Sequence, residues 1–413
     1  MKRRSSTPLA ALAVAALLSA AACGGSGFED NAAAPQSSGP ASLQILIGSS
    51  GDAETNAVKE AAAAWAKATG NTATVTPAQN LSQQLGQAFA GGTPPDVFYV
   101  EAVRFADYAG VGALEPYGDK IANSDDFYQN LRDAFTYDGT YYCAPKDFST
   151  LALVINTTKW EKAGLTDADV PTTWEQLTEV SRKLKDAGEV PLVVADTRDR
   201  IGAFMVQAGG WVTSEDGKKA TADSPENLRA LEYVRSLLRE GLAKYPGDLD
   251  AGWGGEAFGK EKAAMTIEGN WIKGAMKADY PGVKYTVHEL PAGPAGKGTL
   301  SFTQCWGIAA KSKYKQQAID FVNAMTTVDQ QMAFARAFGV MPSRESAKEP
   351  FTKEFPEDAA FADSAGFARG PVKAPKMESV LVDFDAALQK LPSTDPKSIL
   401  TRLQRNTQTA LGG

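Results

Sequence analysis

The sequence predicts an α/β protein built from two lobes. Short apolar strands alternate with amphipathic helices from residue 43 to residue 410, an order typical of α/β lobes with mainly parallel sheets. The chain has 413 residues, and about 370 remain after the N-terminal leader and tether, which is more than one core usually holds. An apolar content of 43% is ordinary for a globular protein.

The first group of elements begins at Leu43–Ile47, a short apolar strand. The loop at 48–52 leads into a helix over 53–69, which we expect to end at Gly70 because glycine readily takes the left-handed conformation after a helix. Further strands are predicted at 72–76 and 96–100, and further helices at 82–90 and up to 109.

A second group repeats this alternation further along the chain. Thr172 stands three residues before Glu175, a spacing that predicts a capping box at the start of a helix running to Ala187. Strands are predicted at 151–155, 191–195, 263–267 and 303–310, and helices at 201–208, 225–240, from about 271, and at 316–325, 379–389 and 397–410.

The first 22 residues have the order of a secretory signal. A basic start at 1–4 precedes an apolar stretch at 8–22, which is too short to span a membrane because a helix needs about 20 apolar residues. Small residues directly before Cys23 resemble a lipoprotein signal, in which the cysteine is acylated and becomes residue one, although Ala20 stands where leucine is usual. The alternative is a plain secretory signal cleaved near Ala22.

Residues 23–42 are predicted to be a lipid anchor and flexible tether. The segment is rich in Gly, Ser, Ala and Pro and has almost no large apolar residues, a composition that stays disordered. An acyl chain on Cys23 would hold the folded body at the extracytoplasmic face of the cell membrane without spanning it.

The composition limits which partners and metal sites this protein can have. The net charge is −7, which argues against nucleic acid as a partner, and His288 is the only histidine, so a zinc site of several histidines is impossible. We expect His288 to lie on a strand with a surface or structural role. The scattered carboxylates show no ligand spacing, so we predict no metal and no cofactor, and nothing in the sequence implies an oligomer.

Two cysteines remain once Cys23 is assigned to the anchor. Cys143 and Cys305 would meet an oxidising compartment and could form a disulfide, or they could be separate buried thiols.

Five stretches in a fixed order resemble the maltose-binding type of ABC-transporter solute-binding proteins. They are 91–99 with 114–117, 144–147 with 151–156, 171–177, 256–260 with 263–271, and 338–344. The resemblance implies a two-lobe periplasmic-binding-protein-like fold with a hinge and a ligand cleft between the lobes. Mapped on this chain, lobe 1 is 43–144 and 306–345, and lobe 2 is 149–304 and 348–413. Cys143 and Cys305 then fall on neighbouring crossing segments, which favours a disulfide.

The resemblance also implies a set of sugar contacts at strand ends facing the cleft, because sugars need polar groups for their hydroxyls and aromatic planes for their C–H faces. Four of these candidates have an alternative role: Asp52 could cap a helix, Arg344 could form an inter-lobe salt bridge, and Trp271 and Trp306 could be core residues. The predicted ligand-binding residues are Asp52, Glu54, Tyr99, Glu101, Arg104, Asp147, Ser149, Trp211, Trp253, Trp271, Trp306 and Arg344.

The predicted function is a receptor without catalytic residues that captures a disaccharide or oligosaccharide and presents it to the permease subunits of an ABC importer. The first rival is a membrane-anchored glycoside hydrolase, which needs two carboxylates and no histidine, with Glu101, Asp147 and Glu268 as candidates. The second rival is a receptor for a non-sugar solute such as a polyamine or glycerol phosphate.

Overall fold

The computed structural model describes residues 39–372 and 374–412. The predicted signal peptide, Cys23 and most of the tether lie outside the described residues. Within them, the main feature is one continuous ten-stranded sheet with helices packed on it. No helix in this described part is long and apolar enough to cross a membrane.

The strands, in chain order, are β1 Ser42–Ile47, β2 Thr72–Pro77, β3 Val97–Glu101, β4 Thr136–Tyr137, β5 Thr140–Tyr141, β6 Pro145–Asn156, β7 Leu192–Val193, β8 Ala243–Lys244, β9 Met265–Gly269, β10 Tyr285–His288, β11 Thr299–Ile308 and β12 Ala368–Arg369. The α-helices are α1 Asp52–Thr69, α2 Leu81–Ala90, α3 Ala102–Gly110, α4 Gln129–Ala134, α5 Thr157–Lys162, α6 Trp174–Asp186, α7 Arg198–Gln207, α8 Pro225–Arg239, α9 Gly254–Gly259, α10 Ile272–Asp279, α11 Lys315–Met325, α12 Val328–Phe338, α13 Lys348–Glu354, α14 Ala359–Asp363, α15 Glu378–Leu388 and α16 Pro396–Ala410.

The sheet is mixed, which corrects the expectation of mainly parallel sheets. Its order is β2-β1-β3-β11-β6-β9-β7-β8, with β10 pairing on β6 and β12 pairing on β11. The two ends are parallel, because β1 pairs with β2 and β3, and β7 pairs with β8 and β9. The centre is antiparallel, because β11 pairs with β3 and β6, and β6 pairs with β9.

Two large apolar clusters lie at opposite ends of this sheet. One draws its residues from 41–144 and 305–334, and the other from 151–300 and 372–403. A smaller cluster around Phe148, Met341 and Phe361 packs where the chain passes between them. Separate cores are what a two-lobe α/β protein requires, whereas the residue boundaries assigned to the lobes stay a prediction.

Local signals explain most element ends. Helix α1 ends at Gly70, whose φ of 71° is accessible to glycine at no steric cost. Helix α6 is capped one residue later than predicted: the Thr173 hydroxyl accepts from the backbone N–H of Gln176, while Thr172 bonds the Gln176 side chain. The sequence pattern predicts no helix over 328–338, yet α12 forms there between a Thr327 cap and Gly339.

His288 ends β10 as a half-buried residue, and its Nε2 lies 2.9 Å from the Thr286 hydroxyl. Burial lowers the pKa of the imidazole. This is a structural position on a strand, away from the cavity described below.

A disulfide joins Cys143 to Cys305, which confirms the predicted pair. The Cα atoms are 5.8 Å apart and the residues are separated by 162 positions. Cys143 lies two residues before the start of β6 and Cys305 lies in β11, so the bond ties together the two strands that pass through the middle of the sheet.

Replacing both Cys143 and Cys305 by alanine should lower the free energy of unfolding by about 2–5 kcal/mol, because the bond closes a long loop of the unfolded chain. The measurement is urea denaturation of a chain that also carries Cys23→Ser. The parent chain under reducing conditions should have the same free energy of unfolding as the double variant, and a reductant should not change the free energy of unfolding of that variant. Two free thiols in unfolded, unreduced parent would contradict the pairing.

Candidate ligand-binding site

A cavity of about 520 Å³ opens between the two large apolar clusters. One wall comes from the loop after β1, the start of α1 and the end of β3. The opposite wall comes from α7, the residues around Trp211 and the 369–372 segment, and strands β6 and β11 form the floor. The position follows the general rule that ligands of α/β sheets bind beyond strand ends.

Lys146 is the charge centre of this cavity. Its Nζ lies 3.0 Å from Glu54 Oε1, forms a second ion pair with Asp147, and lies 4.7 Å from the centre of the Tyr99 ring. The Lys146 side chain is 9% exposed and that of Glu54 is 3% exposed. Buried charges of this kind persist only when they are paired, because removal from water costs several kcal/mol per ion.

The two carboxylates respond differently to this environment. Burial raises the pKa of Glu54, but the Lys146 charge and hydrogen bonds from Ser50 outweigh it, so the net pKa is lowered. Burial and then the Glu54 charge hold the pKa of Asp147 above its ordinary value despite Lys146. For Lys146, the two carboxylates overcome burial and raise the pKa of the ammonium.

Local sequence explains how Glu54 reaches this place. The backbone N–H and the hydroxyl of Ser50 both donate to Glu54 Oε2, at 2.7 and 2.8 Å. Glu54 sits in the first turn of α1, where a negative charge is favoured by the helix dipole. The loop after β1 is therefore folded back on the carboxylate that faces the cavity.

Aromatic rings form the other part of the cavity wall. Trp271 is 38% exposed although it is a large apolar side chain, and Phe302 contacts it edge-on with ring centres 5.3 Å apart. Trp211 lines the cavity with the Arg369 guanidinium 5.7 Å from its ring centre. Burial lowers the pKa of Arg369.

The remaining charged residues of the wall are partly neutralised. Arg198 forms an ion pair with Asp385 and lies 3.7 Å from Asp199. Glu101 accepts a hydrogen bond from the Ser82 hydroxyl at 3.1 Å. Carboxylates, cations and ring faces thus surround one cavity, an arrangement suited to a ligand with many hydroxyl groups and apolar C–H faces.

The structure brings half of the predicted contact residues to the cavity and places the others elsewhere. Those lining it are Glu54, Glu101, Asp147, Ser149, Trp211 and Trp271. Lys146, next to the predicted Asp147, pairs with Glu54 and Asp147. The residues placed outside its walls are Asp52, Tyr99, Arg104, Trp253, Trp306 and Arg344.

Tyr99 and Trp306 require correction because both are core residues. Each is 1% exposed, and their rings meet edge-on at 4.8 Å. Tyr99 still touches the site from behind through its contact with Lys146, and burial, with the charges of Glu54 and Asp147, raises the pKa of its phenol. Asp52 is exposed at the start of α1 and does not cap the helix with its side chain.

Arg104, Trp253 and Arg344 have other partners. Arg104 forms an ion pair with Glu378 at the start of α15, which links α3 to the opposite cluster. Trp253 is part-buried against Phe258 and its neighbours. The Arg344 guanidinium donates to the carbonyls of Ala122, Asn123 and Thr326, so its role is structural.

Several residues that line the cavity were not among the predicted contact residues. Arg198 and Asp199 follow the short strand β7, so the strand-end rule could have found them had α7 been predicted to begin there. No local signal identifies Phe302, Gln304 or Arg369, because they reach the cavity only through the pairing of β11 with β6 and β12. Among the described residues, no group of three or more His, Cys, Asp or Glu side chains could hold a metal ion.

Replacing Lys146 by methionine should destabilise the protein by about 3–5 kcal/mol at pH 7, because it leaves two buried carboxylates without their cation. Lys183→Met is the matched control: its partner Asp169 is 3.1 Å away in an exposed pair, so the loss should stay below about 1 kcal/mol. Urea denaturation measures both.

The loss in Lys146→Met should shrink in acid. Without the cation, burial and mutual repulsion raise the pKa values of Glu54 and Asp147, so the folded variant binds more protons than its unfolded chain and its stability falls as pH rises. In the parent, the lowered pKa of Glu54 acts in the opposite direction. A destabilisation that is the same at about pH 4 and pH 7 would contradict the coupling of these groups.

Comparisons with known proteins agree on one family. The family model for bacterial extracellular solute-binding proteins matches residues 50–332. A putative binding protein of Brucella abortus is 25% identical over 347 residues, covering 79% of this chain and 82% of the relative. The diacetylchitobiose-binding protein DasA of Streptomyces coelicolor is 26% identical over 299 residues, covering 69% of each chain.

Solved structures show the same fold. The cyclic α-maltosyl-1,6-maltose-binding protein of Arthrobacter globiformis superimposes with a TM-score of 0.81 at 19% identity, covering 91% of this chain and all of the other. The predicted two-lobe α/β fold is thereby confirmed. Because the matching family model spans more than half of its residues, the chain belongs to the bacterial extracellular solute-binding proteins, which act outside the cytoplasm as receptors and not as enzymes.

Proposed function

We propose that this protein is the sugar-binding component of an ABC importer and that it holds a short oligosaccharide in the cavity. The observation that carries the proposal is that the exposed ring of Trp271 and the buried carboxylates of Glu54 and Asp147 line one cavity. A volume of about 520 Å³ lies inside the range of small-ligand pockets, about 300–1,000 Å³.

The chemistry of the walls suits a sugar. Carboxylates accept hydrogen bonds from hydroxyl groups, guanidinium groups donate to hydroxyl oxygens, and ring faces bury C–H surfaces. Glu54 and Asp147 supply two carboxylates for one Lys146 cation, so they retain acceptor capacity after their ion pairs are made. The relative named for diacetylchitobiose supports an oligosaccharide of at least two rings.

Transport would use closure of the two lobes on the ligand. The predicted boundaries assign 43–144 and 306–345 to lobe 1, and 149–304 and 348–413 to lobe 2, so β6 and β11 would form the hinge. A ligand that contacts both walls favours the closed arrangement, which would then be presented to the permease subunits in the membrane. The receptor is proposed to work as a monomer.

The hydrolase alternative keeps Glu101 and Asp147 in the cavity wall and loses only its third candidate carboxylate, so the argument against it rests on the family. Glu268 is absent from the cavity wall and is held by Arg200 and Trp271, and the family consists of binding proteins. The remaining alternative is a receptor for a non-sugar solute, which the following screen would detect.

Maltotriose, cellotriose and diacetylchitobiose form the core of a thermal-shift screen, extended to other sugars, polyamines and glycerol phosphate. A bound sugar at about one hundred times its dissociation constant adds about 2.7 kcal/mol, which for a body of this size is a rise of about 3 °C in Tm. Trp271→Ala should lose most of the rise because it removes the stacking ring. Trp253→Ala, the same change at a ring outside the cavity, should keep it. A rise with polyamines or glycerol phosphate only would defeat the sugar assignment.

Lipidation at Cys23 is the second part of the proposal, and Cys23→Ser should release the protein. Without its thiol the chain has no site for an acyl group, so it should move from the detergent phase to the aqueous phase in a phase-partition assay of cells expressing it. Cys143→Ser with Cys305→Ser should stay in the detergent phase. An aqueous parent would favour a plain secretory signal.

A further inference from the structure

The side chain of Trp271 is held in place by residues that do not line the cavity. Its indole Nε1–H donates to Glu268 Oε2 at 2.9 Å, and the Arg200 guanidinium carbon lies 5.1 Å from the ring centre. Arg200 donates to the same Glu268 oxygen at 2.6 Å. One carboxylate oxygen therefore fixes both the edge of the ring and the cation over it.

The backbone completes this arrangement. A Cβ placed on Gly269 would lie only 2.2 Å from Cζ3 of Trp271, so the benzo ring rests where any larger residue would put its side chain. Phe302 then contacts the ring edge-on from β11. An exposed tryptophan at the edge of a helix normally samples several rotamers, whereas this one is restrained by a hydrogen bond, a cation, a glycine and a second ring.

Glu268 has no structural reason to be charged other than these contacts. It lies on β9 with 0% exposure, and its second oxygen, Oε1, has no hydrogen-bond partner. A buried carboxylate with an unpaired oxygen is costly, and an apolar residue in its place would avoid the cost. A Cβ added to Gly254 would meet this Oε1 at 2.6 Å, so the unpaired oxygen faces the start of α9. The Glu268 carboxylate therefore serves to orient Trp271 and Arg200.

We propose that Glu268 and Arg200 are positioning residues that orient the Trp271 ring before a ligand arrives. The ring then presents its exposed part to the cavity in one orientation, so binding loses less side-chain entropy than it would with a freely rotating ring. This inference rests on the proposed sugar-binding function for its consequence, but the restraint on the ring can be measured without any ligand.

The test is ¹⁹F NMR of the protein labelled with 5-fluorotryptophan. The chain contains seven tryptophans. Trp271→Phe identifies the Trp271 line, and the other six serve as internal references. In Glu268→Leu the Trp271 line should move or broaden and the others should stay. In Glu268→Gln it should remain one narrow line near its parent position, because an amide oxygen can still accept from the indole N–H. Glu256→Leu is the matched control, since Glu256 pairs with Lys260 and not with an indole.

A double-mutant cycle then tests the effect on binding, using whichever of maltotriose, cellotriose and diacetylchitobiose raises the Tm. Glu268→Leu should weaken binding about tenfold in the parent and have no effect in the Trp271→Ala background, because it acts through that ring. Equal losses in both backgrounds, or an unmoved Trp271 line, would overturn the proposal. If Glu268→Leu fails to fold, Arg200→Met and Gly269→Ala displace the same line by independent routes. If no sugar binds, the proposed function fails while the ¹⁹F result still decides whether Glu268 positions the ring.

Discussion

The antiparallel pairing of β6 with β11 is the constraint on which the rest of this structure depends. Residues 147–150 of β6 pair with 301–304 of β11. Beyond that stretch, β6 continues into pairs with β9 and β10, whereas β11 continues into a pair with β3. The two strands therefore belong to both ends of the sheet, and every residue of β6 is buried. Asp147, Ser149 and Phe302 lie on this shared stretch and line the cavity. The pairing that joins the two ends of the sheet therefore also forms the cavity floor.

The charge balance of the site follows from that placement. The start of β6 brings Lys146 and Asp147 into a buried region, where either charge alone would be costly. Glu54, arriving from α1, adds a second carboxylate next to the one cation, and burial together with the Glu54 charge raises the pKa of Asp147. Donor groups of a ligand can supply the missing hydrogen bonds. A solute rich in hydroxyl groups would do so without adding charge, which supports the proposed sugar ligand.

Strand alternation explains why only half of the predicted contact residues reach the cavity. Glu54, Asp147 and Trp271 follow strand starts or ends and do reach the cavity. Tyr99 was chosen by the same rule, but it is directly opposite Trp306 in the pairing of β3 with β11. Opposite residues in a pair point to the same face of a sheet, and here that face is the apolar core. The sequence shows where a strand ends, whereas the face toward the cavity depends on the register with a partner strand two hundred residues away.

The sequence by itself determined most of the strands and helices, the family, and the residue types of the proposed sugar site, because these depend on local periodicity, caps and motifs. It also narrowed the disulfide to one pair by leaving only Cys143 and Cys305. Tertiary structure decided which residues face the cavity. Arg198, Phe302 and Arg369 come from separate segments, and Glu268 acts only through its contact with Trp271. Such contacts arise from sheet register and lobe packing, and these are set by burial across the whole chain instead of by any local pattern.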